Sequence, residues 1–103
     1  MSISAQPDSQ HIAQTLAALG HTARIEIFQL LVRCGDAGML VGEIGTRLKL
    51  TPSTLAHHLK AMVDAKLITQ QRQGRQVVNR ANFATINGAV AFLMAECCKG
   101  PPD

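Results

Sequence analysis

Two adjacent cysteines, Cys97 and Cys98, are the residues whose type and spacing point most directly to chemistry. Thiolates select soft, thiophilic ions, and a close pair supplies two of the ligands that a trivalent arsenical or antimonial needs. Successive helical residues differ by about 100°, so neighbouring thiols converge only where a helix frays at its end. A third ligand would come from Cys34, from another subunit or from a small thiol. The pair therefore predicts a site for a thiophilic ion near the end of the chain.

The cysteine pair also has a purely structural interpretation. An apolar stripe at helical spacing leads up to it, formed by Phe83, Ile86, Val90, Leu93 and Cys97. Cys97 could therefore be a small apolar residue in a packed helix face, whereas Cys98 lies off the stripe. The chain has 3 cysteines, an odd number unlike the framework of a secreted disulfide domain, so we expect free thiols. Because two of the three are adjacent, we favour the ligand interpretation.

A second chemical feature is the basic stretch from Lys49 to Arg80. It carries six of the 10 Lys and Arg residues and one acid, Asp64, so its formal charge is +5 in a chain of net charge +3. Positive charge concentrated in one segment is typical of a surface that binds duplex DNA. We therefore expect double-stranded DNA as a partner.

The elements that position these features are mostly helices. Apolar periodicity predicts a first helix stopped by Gly20, a second capped by Thr22 and stopped by Gly35, and a third over Val41–Leu48. The composition is 47% hydrophobic but only 3% aromatic, which indicates a helical core of aliphatic residues. His21, just before the second helix, is expected to make a local hydrogen bond.

A fourth helix is predicted from Pro52 to about Ala65. Its inward face is set by residues at i, i+4 and i+7, namely Leu55, Leu59 and Met62. Its outward face then consists of Ser53, Ala56, His57 and Lys60. His58 falls on the inner side and is expected to be a structural histidine.

Two strands, Leu67–Arg72 and Gln76–Ala81, are predicted to meet at Gly74, and Asn82 is predicted to cap a last helix from Phe83 to about Cys98. Two helices joined by a tight turn and followed by a basic hairpin make a winged helix-turn-helix. In that fold the second helix enters the major groove and the wing touches the flanking backbone. The predicted fold class is therefore mainly α, with about five helices and a two-stranded wing.

Six residues of this surface are predicted to contact DNA. Short side chains suit base edges, and we assign this role to Ser53, Thr54 and His57. Cationic side chains suit phosphates, and we assign this role to Lys60, Arg72 and Arg75. All six could instead be solvated residues of ordinary elements, but the local charge excess on a recognition-helix pattern favours DNA.

At 103 residues the chain is expected to form one small domain. We assign residues 9–98 to a DNA-binding and dimerisation domain and residues 1–8 and 99–103 to flexible tails. No apolar run approaches the ~20 residues of a membrane span and no signal-peptide pattern is present, so a cytoplasmic protein without a membrane partner is expected. The histidines and acids show no clustered base and nucleophile, which excludes an enzyme.

Three segments resemble the ArsR/SmtB family of metalloregulators. They are ALGHTARI at residues 18–25, STLAHHLK at residues 53–60, and Gly74-Arg75 in the wing. The resemblance implies a homodimeric repressor, paired through its first and last helices, that leaves its operator when an inducer binds. Two positions depart from the family pattern. Ala56 stands where many members have a Ser that contacts DNA, and Asn79 replaces a common wing Tyr, a change expected to affect only packing.

Members of this family with a cysteine pair at the end of the last helix look like arsenical sensors. The resemblance therefore implies trivalent arsenic or antimony as inducer, bound by Cys97 and Cys98 with Cys34 as a possible third ligand. The alternative is the same repressor fold sensing oxidants or persulfide through its cysteines. Such members usually pair a cysteine in the second helix with one in the last, and Cys34 lies several residues later than that pattern.

Overall fold

The part of the chain described by a computed structural model, residues 8–102, contains five α-helices and three short strands. In chain order they are α1 (Ser9–Leu19), α2 (Thr22–Cys34), β1 (Met39–Leu40), α3 (Val41–Leu48), α4 (Pro52–Asp64), β2 (Ile68–Gln73), β3 (Gln76–Ala81) and α5 (Phe83–Met94). A 3₁₀ turn over Gly35–Ala37 joins α2 to β1. The five helices and the hairpin wing confirm the predicted fold class. Of the tail predicted over residues 1–8, residues 1–7 lie outside the described residues, and Asp8 is the N-cap of α1.

Side chains just ahead of the first two helices determine where these helices begin. The Asp8 carboxylate accepts a hydrogen bond from the His11 backbone N–H at 2.8 Å, so Asp8 caps α1. His21 Nδ1 accepts the Ala23 N–H at 3.2 Å and caps α2. The predicted cap at Thr22 is wrong by one residue, because Thr22 is already helical. The prediction of a local hydrogen bond at His21 is confirmed.

The core forms where α2, α3 and α4 pack on the base of the sheet. Its fully buried aliphatic side chains are Ile27, Leu31, Ile44, Leu55, Met62, Leu67 and Ile68. Leu55, Leu59 and Met62 are 3% exposed or less, which confirms the predicted inward face of α4. Among the described residues no helix is long and apolar enough to cross a membrane.

The turn between α3 and α4 is tight. Lys49 ends α3 in the left-handed region at φ 56°, and the Leu50 N–H then bonds the Gly45 carbonyl oxygen at 3.0 Å. A Cβ at Gly45 would lie 3.3 Å from the Leu50 carbonyl oxygen, so a glycine lets the two segments approach. This turn fixes α4 as the second helix of the helix-turn-helix.

The sheet is antiparallel and its strand order is β1-β3-β2. β2 begins one residue later than predicted because the Leu67 backbone bonds Met62 and Asn82 instead of a ladder partner. β1 was not predicted, since two residues are too few to show an alternation. Gly38 precedes it at φ 67°, and a Cβ there would lie 2.6 Å from the Asn79 carbonyl oxygen.

Asn79 is a fully buried polar residue at the base of the wing. Its Nδ2 donates to the Met39 carbonyl oxygen at 3.2 Å, and its Oδ1 accepts from Gln70 Nε2 at 2.8 Å. The side chain therefore ties β3 to both neighbouring strands. The expectation that Asn at this position affects only packing is wrong, because Asn supplies hydrogen bonds that pin the wing to the body.

The wing ends in a two-residue loop, Gly74-Arg75, between the paired residues Gln73 and Gln76. Gly74 has a positive φ of 64° and Arg75 does not have a positive φ, which is the pattern of a type II′ hairpin turn. The loop leaves Arg75 at the tip of the wing.

Candidate DNA-binding surface and thiol pair

The outer face of α4 carries the residues predicted to contact DNA. Pro52 occupies the first turn of α4, and the Thr51 hydroxyl accepts the Thr54 N–H at 3.4 Å to cap it. The predicted outward residues Ser53, Ala56, His57 and Lys60 are all exposed. In its N-terminal half the exposed face thus carries short side chains, most of them polar, as a helix that approaches base edges requires.

Two of the predicted contact residues have local partners. The Thr51 hydroxyl donates to Thr54 Oγ1 at 3.0 Å, so Thr54 takes part in the helix cap and keeps its own proton to donate. Lys60 Nζ lies 3.0 Å from Asp64 Oδ2, with 77% and 64% of the two side chains exposed. Exposed pairs of this kind contribute only about 0–1 kcal/mol, so Asp64 does not hold Lys60 away from a phosphate.

The basic residues of the wing fall into two kinds. Arg72 on β2 and Arg75 in the loop are exposed, as phosphate contacts must be. Arg80 instead donates from Nε to the Asp36 carbonyl oxygen at 2.7 Å and from Nη1 to Gln71 Oε1 at 2.8 Å. Arg80, although part of the basic stretch, therefore orients the wing through hydrogen bonds within the protein.

His58, on the inner side of α4, connects this helix to the first two helices. It is 6% exposed, and its Nδ1 accepts a hydrogen bond from Arg24 Nε at 3.0 Å. Arg24 Nη1 also donates to the Ala18 carbonyl oxygen at 3.1 Å. The prediction of a satisfied structural histidine is confirmed. Its partner was missed, because Arg24 lies 34 residues away in sequence.

Three basic side chains, His21, Arg24 and His57, lie near His58. Its ring centroid lies 4.7 Å from that of His21 and 5.8 Å from that of His57. Burial lowers the pKa of His58, and His21, Arg24 and His57 lower it further by charge repulsion. Arg24 can only donate, so the bond at Nδ1 exists only while His58 is neutral.

The cysteine pair lies beyond the end of α5. The prediction that this helix extends to about Cys98 is wrong, because it ends at Met94. The Ala95 and Cys97 N–H groups bond carbonyls three residues back, and Cys98 then adopts φ 64°. This irregular turn brings the two Sγ atoms to 3.1 Å, beyond the ~2.05 Å of a disulfide bond. Both thiols are free and exposed.

The surroundings of Cys97 do not activate its thiol. The hydrogen bond to Cys98 raises the pKa of the Cys97 thiol, and desolvation raises it further. Lys99 Nζ lies 3.3 Å from Glu96 Oε2, so the nearest cation in sequence is paired with a carboxylate. Cys97 is therefore a protonated thiol near neutral pH.

Cys34 is half-buried at the end of α2, against the core. Throughout residues 8–102, no three His, Cys, Asp or Glu side chains are grouped closely enough to hold a metal ion. Within one subunit, Cys34 therefore does not join Cys97 and Cys98 as the third ligand considered from the sequence. The structure brings together two thiols only.

The apolar stripe ahead of the cysteines is exposed in the single chain. Phe83 is 41% exposed, Val90 53% and Leu93 59%, and Met94 beside them is 57% exposed. Leu16 on α1 is 38% exposed. A stripe of large apolar side chains left open to solvent indicates a surface that another molecule covers.

A tight helix-turn-helix with an exposed polar second helix and a basic hairpin defines the class of winged helix-turn-helix DNA-binding proteins. A family model described as "Helix-turn-helix domain" matches residues 19–71. The arsenical resistance operon repressor of Bacillus subtilis (strain 168) is 31% identical over 85 residues, which are 82% of this chain and 77% of that protein. The corresponding repressor of Staphylococcus aureus is 26% identical over 84 residues, 82% of this chain and 78% of that protein.

Solved structures agree with this class. An ArsR-like transcriptional regulator from Rhodococcus sp. RHA1 has 28% sequence identity and a TM-score of 0.75, covering 87% of this chain and 82% of that one. HlyU from Vibrio cholerae N16961 shares the fold, with 23% identity, a TM-score of 0.70, and coverage of 87% and 95%. The chain belongs to the ArsR/SmtB family of winged helix-turn-helix transcriptional repressors. As a member it is a DNA-binding regulator and not an enzyme.

Proposed function

We propose that the protein is a homodimeric repressor that releases its operator when trivalent arsenic or antimony binds Cys97 and Cys98. The observation that carries the proposal is the pair of exposed thiols with Sγ atoms 3.1 Å apart, directly after α5. One thiophilic ion can contact both sulfurs at that separation without refolding the helix. The names of the relatives, arsenical resistance operon repressors, support the same inducer.

The binding chemistry needs no activated thiolate. Each As–S bond replaces one S–H bond and one As–O bond of a hydroxylated arsenical, and the proton and hydroxide leave as water. Two such exchanges at Cys97 and Cys98 leave one position on the arsenic. A small thiol or a group from another subunit fills it, since no third ligand of the same subunit is close.

The dimer supplies the route from thiols to DNA. The exposed apolar side chains Phe83, Val90 and Leu93 of α5, with Leu16 of α1, form the surface through which two subunits would pair. An ion at the end of α5 then changes the packing of this helix, and with it the spacing of the two α4 helices. A coupling free energy of about 1–3 kcal/mol between the sites is enough for such a switch.

On the DNA side, Ser53, Thr54 and His57 are proposed to approach base edges in the major groove. Lys60, Arg72 and Arg75 are proposed to contact phosphates. Support comes from their exposure on the outer face of α4 and on the wing. Ala56 has no polar group, so this chain makes one base-edge contact fewer than members with Ser at that position.

The alternative function is sensing of an oxidant or persulfide by the same thiols. The short Sγ–Sγ separation favours it, because a disulfide would need only a further ~1 Å of approach. The position of Cys34 opposes it, because oxidant- and persulfide-sensing members usually pair a cysteine in the second helix with one in the last, and Cys34 does not join Cys97 and Cys98 within one subunit. We therefore keep the metalloid as the inducer.

Fluorescence anisotropy with DNA from upstream of the protein's own gene tests the proposal. The DNA would be titrated with and without arsenite, antimonite or a monosubstituted trivalent arsenical, in a monothiol reductant that does not chelate the metalloid. We expect tight binding and its loss on adding a trivalent metalloid. Release by peroxide or persulfide, with none by the metalloids, would instead establish the alternative.

A Cys34→Ser variant tested in the same assay identifies the source of the third ligand. Retained release indicates that a small thiol, or the substituent that a monosubstituted arsenical already carries, fills this position. Lost release, with the fold intact by circular dichroism, indicates Cys34 of another subunit.

A further inference from the structure

A groove of about 810 Å³ lies between α3 and the wing. We call it the α3–wing groove. Its apolar lining comes from Leu40, Val41 and Val77, all half-buried, and its charged lining from Glu43, Arg47 and Arg75. Apart from Arg75, none of these residues has a place in the contacts proposed above.

The charges of the α3–wing groove fit an anion. Arg47 and Arg75 are both exposed and come from different elements, α3 and the wing loop. Glu43 is the one acid in the lining, and its Oε1 accepts the Leu40 N–H at 3.1 Å at the start of α3. The groove therefore carries one net positive charge from three charged side chains.

The groove is continuous with the outer face of α4. Val41 lines it and also lines a second concavity with Ala56, Lys60 and Gln70, between α4 and β2. The path from Lys60 past Val41 to Arg75 thus follows one side of the molecule. A DNA strand that meets α4 and the tip of the wing would have to cross this path.

We propose that the α3–wing groove binds the sugar-phosphate backbone of one DNA strand, with Arg47 as a phosphate contact opposite Arg75. The deoxyribose rings lie against the apolar lining while the two arginines bind the phosphates on either side. This inference rests on the proposed DNA-binding surface and adds α3 to it. Contacts of this kind position the protein on the duplex without reading sequence.

Arg47→Gln tests the proposal through the salt dependence of binding. The logarithm of the DNA association constant falls as the logarithm of the salt concentration rises, and each neutralised phosphate contributes about 0.9 to the steepness of that fall. Losing one phosphate contact should therefore make the slope shallower by about 0.9. At 0.1 M salt the variant should bind DNA roughly eightfold more weakly than the unmodified protein. This difference in affinity should disappear when both lines are extrapolated to 1 M salt. The loss should be the same for operator and unrelated duplexes, because phosphates carry no sequence.

Two further variants sharpen the test. Arg33→Gln removes an exposed arginine of α2 outside the groove and should leave the slope unchanged. Glu43→Gln keeps an oxygen that can accept the Leu40 N–H but removes the negative charge beside the DNA strand, so it should tighten binding to both duplexes. Thermal unfolding monitored by circular dichroism checks that each variant is folded.

An unchanged slope for Arg47→Gln, while Arg75→Gln lowers it, would overturn the α3–wing contact and leave DNA binding by α4 and the wing intact. The groove would then suit a small organic anion instead. Loss of slope in Arg33→Gln as large as in Arg47→Gln would also refute the proposal, because any surface arginine would have the same effect. Absence of DNA binding by the unmodified protein would contradict the proposed function itself.

Discussion

Arg24 connects three helices through hydrogen bonds from its Nε and Nη1. Removing these two donors should lower the free energy of unfolding by a measurable amount. The side chain bonds His58 of α4 at 3.0 Å and the Ala18 carbonyl oxygen of α1 at 3.1 Å. Arg24→Met keeps the aliphatic stem and deletes both hydrogen bonds. Hydrogen bonds from a charged group contribute about 1.5–3 kcal/mol each, and the low end applies because Arg24 is only half-buried. For the two bonds together we expect a loss of about 3 kcal/mol, or a fall in Tm of about 12–24 °C for a domain of this size.

The cost should depend on pH. Because the pKa of His58 is lowered on folding, its neutral form contributes stability that is present above the unfolded pKa of 6.5 and is lost as pH falls through the folded value. Protonated His58 cannot accept a hydrogen bond from Arg24 at Nδ1. Arg24→Met should therefore destabilise the protein more at pH 8 than at pH 5.

Urea unfolding by circular dichroism at both pH values measures this difference, with protein concentration fixed because the stability of the proposed dimer would depend on it. Arg33→Met, on the same helix without such bonds to α1 or α4, is the matched control and should cost less than about 1 kcal/mol. An equal loss at pH 8 and pH 5, or a loss no larger than in the control, would refute the role given to the Arg24–His58 bond.

Three further predictions concern the wing and the dimer. Gly38→Ala should lower the free energy of unfolding in urea by about 1–3 kcal/mol, because Gly38 has a positive φ and a Cβ there would lie 2.6 Å from a carbonyl oxygen. Gly42→Ala, where a Cβ would have nothing within 4 Å, should be neutral or stabilising. Equal effects of the two substitutions would contradict the steric argument. Asn79→Leu should lose about 1–3 kcal/mol by unpairing its two partners, and unchanged stability would show that those bonds contribute nothing. Leu93→Glu places a charge on the exposed apolar stripe of α5. In sedimentation velocity the variant should be a monomer at a concentration where the unmodified protein is expected to be a dimer. A variant that remains a dimer would place the interface elsewhere.

The architecture was predictable where local spacing determines it. The i, i+4, i+7 pattern of Leu55, Leu59 and Met62 fixed the inner and outer faces of α4, because an apolar stripe on a helix must face the core. Gly74 between the two predicted strands marked the wing, since hairpin loops of two residues need a positive φ. Both features depend only on residues close in sequence.

The parts that the sequence did not reveal depend on residues far apart. The Arg24–His58 bond spans 34 residues and the Asn79–Met39 bond spans 40, so neither has a local signature. The end of α5 was placed too late because the apolar stripe continues to Cys97 after the helix has ended at Met94. That early end matters for the site, since the irregular turn is what lets adjacent thiols converge.

The central claim is that the thiol pair controls DNA affinity, and one comparison tests it most directly. Operator affinity would be measured by anisotropy with and without a trivalent arsenical for the unmodified protein, Cys97→Ser and Cys98→Ser. We predict equal affinities without arsenical, a roughly 5–150-fold weakening by arsenical in the unmodified protein, and no weakening in either variant. Release of DNA by the arsenical in both variants would contradict the assignment of Cys97 and Cys98 as the sensing site.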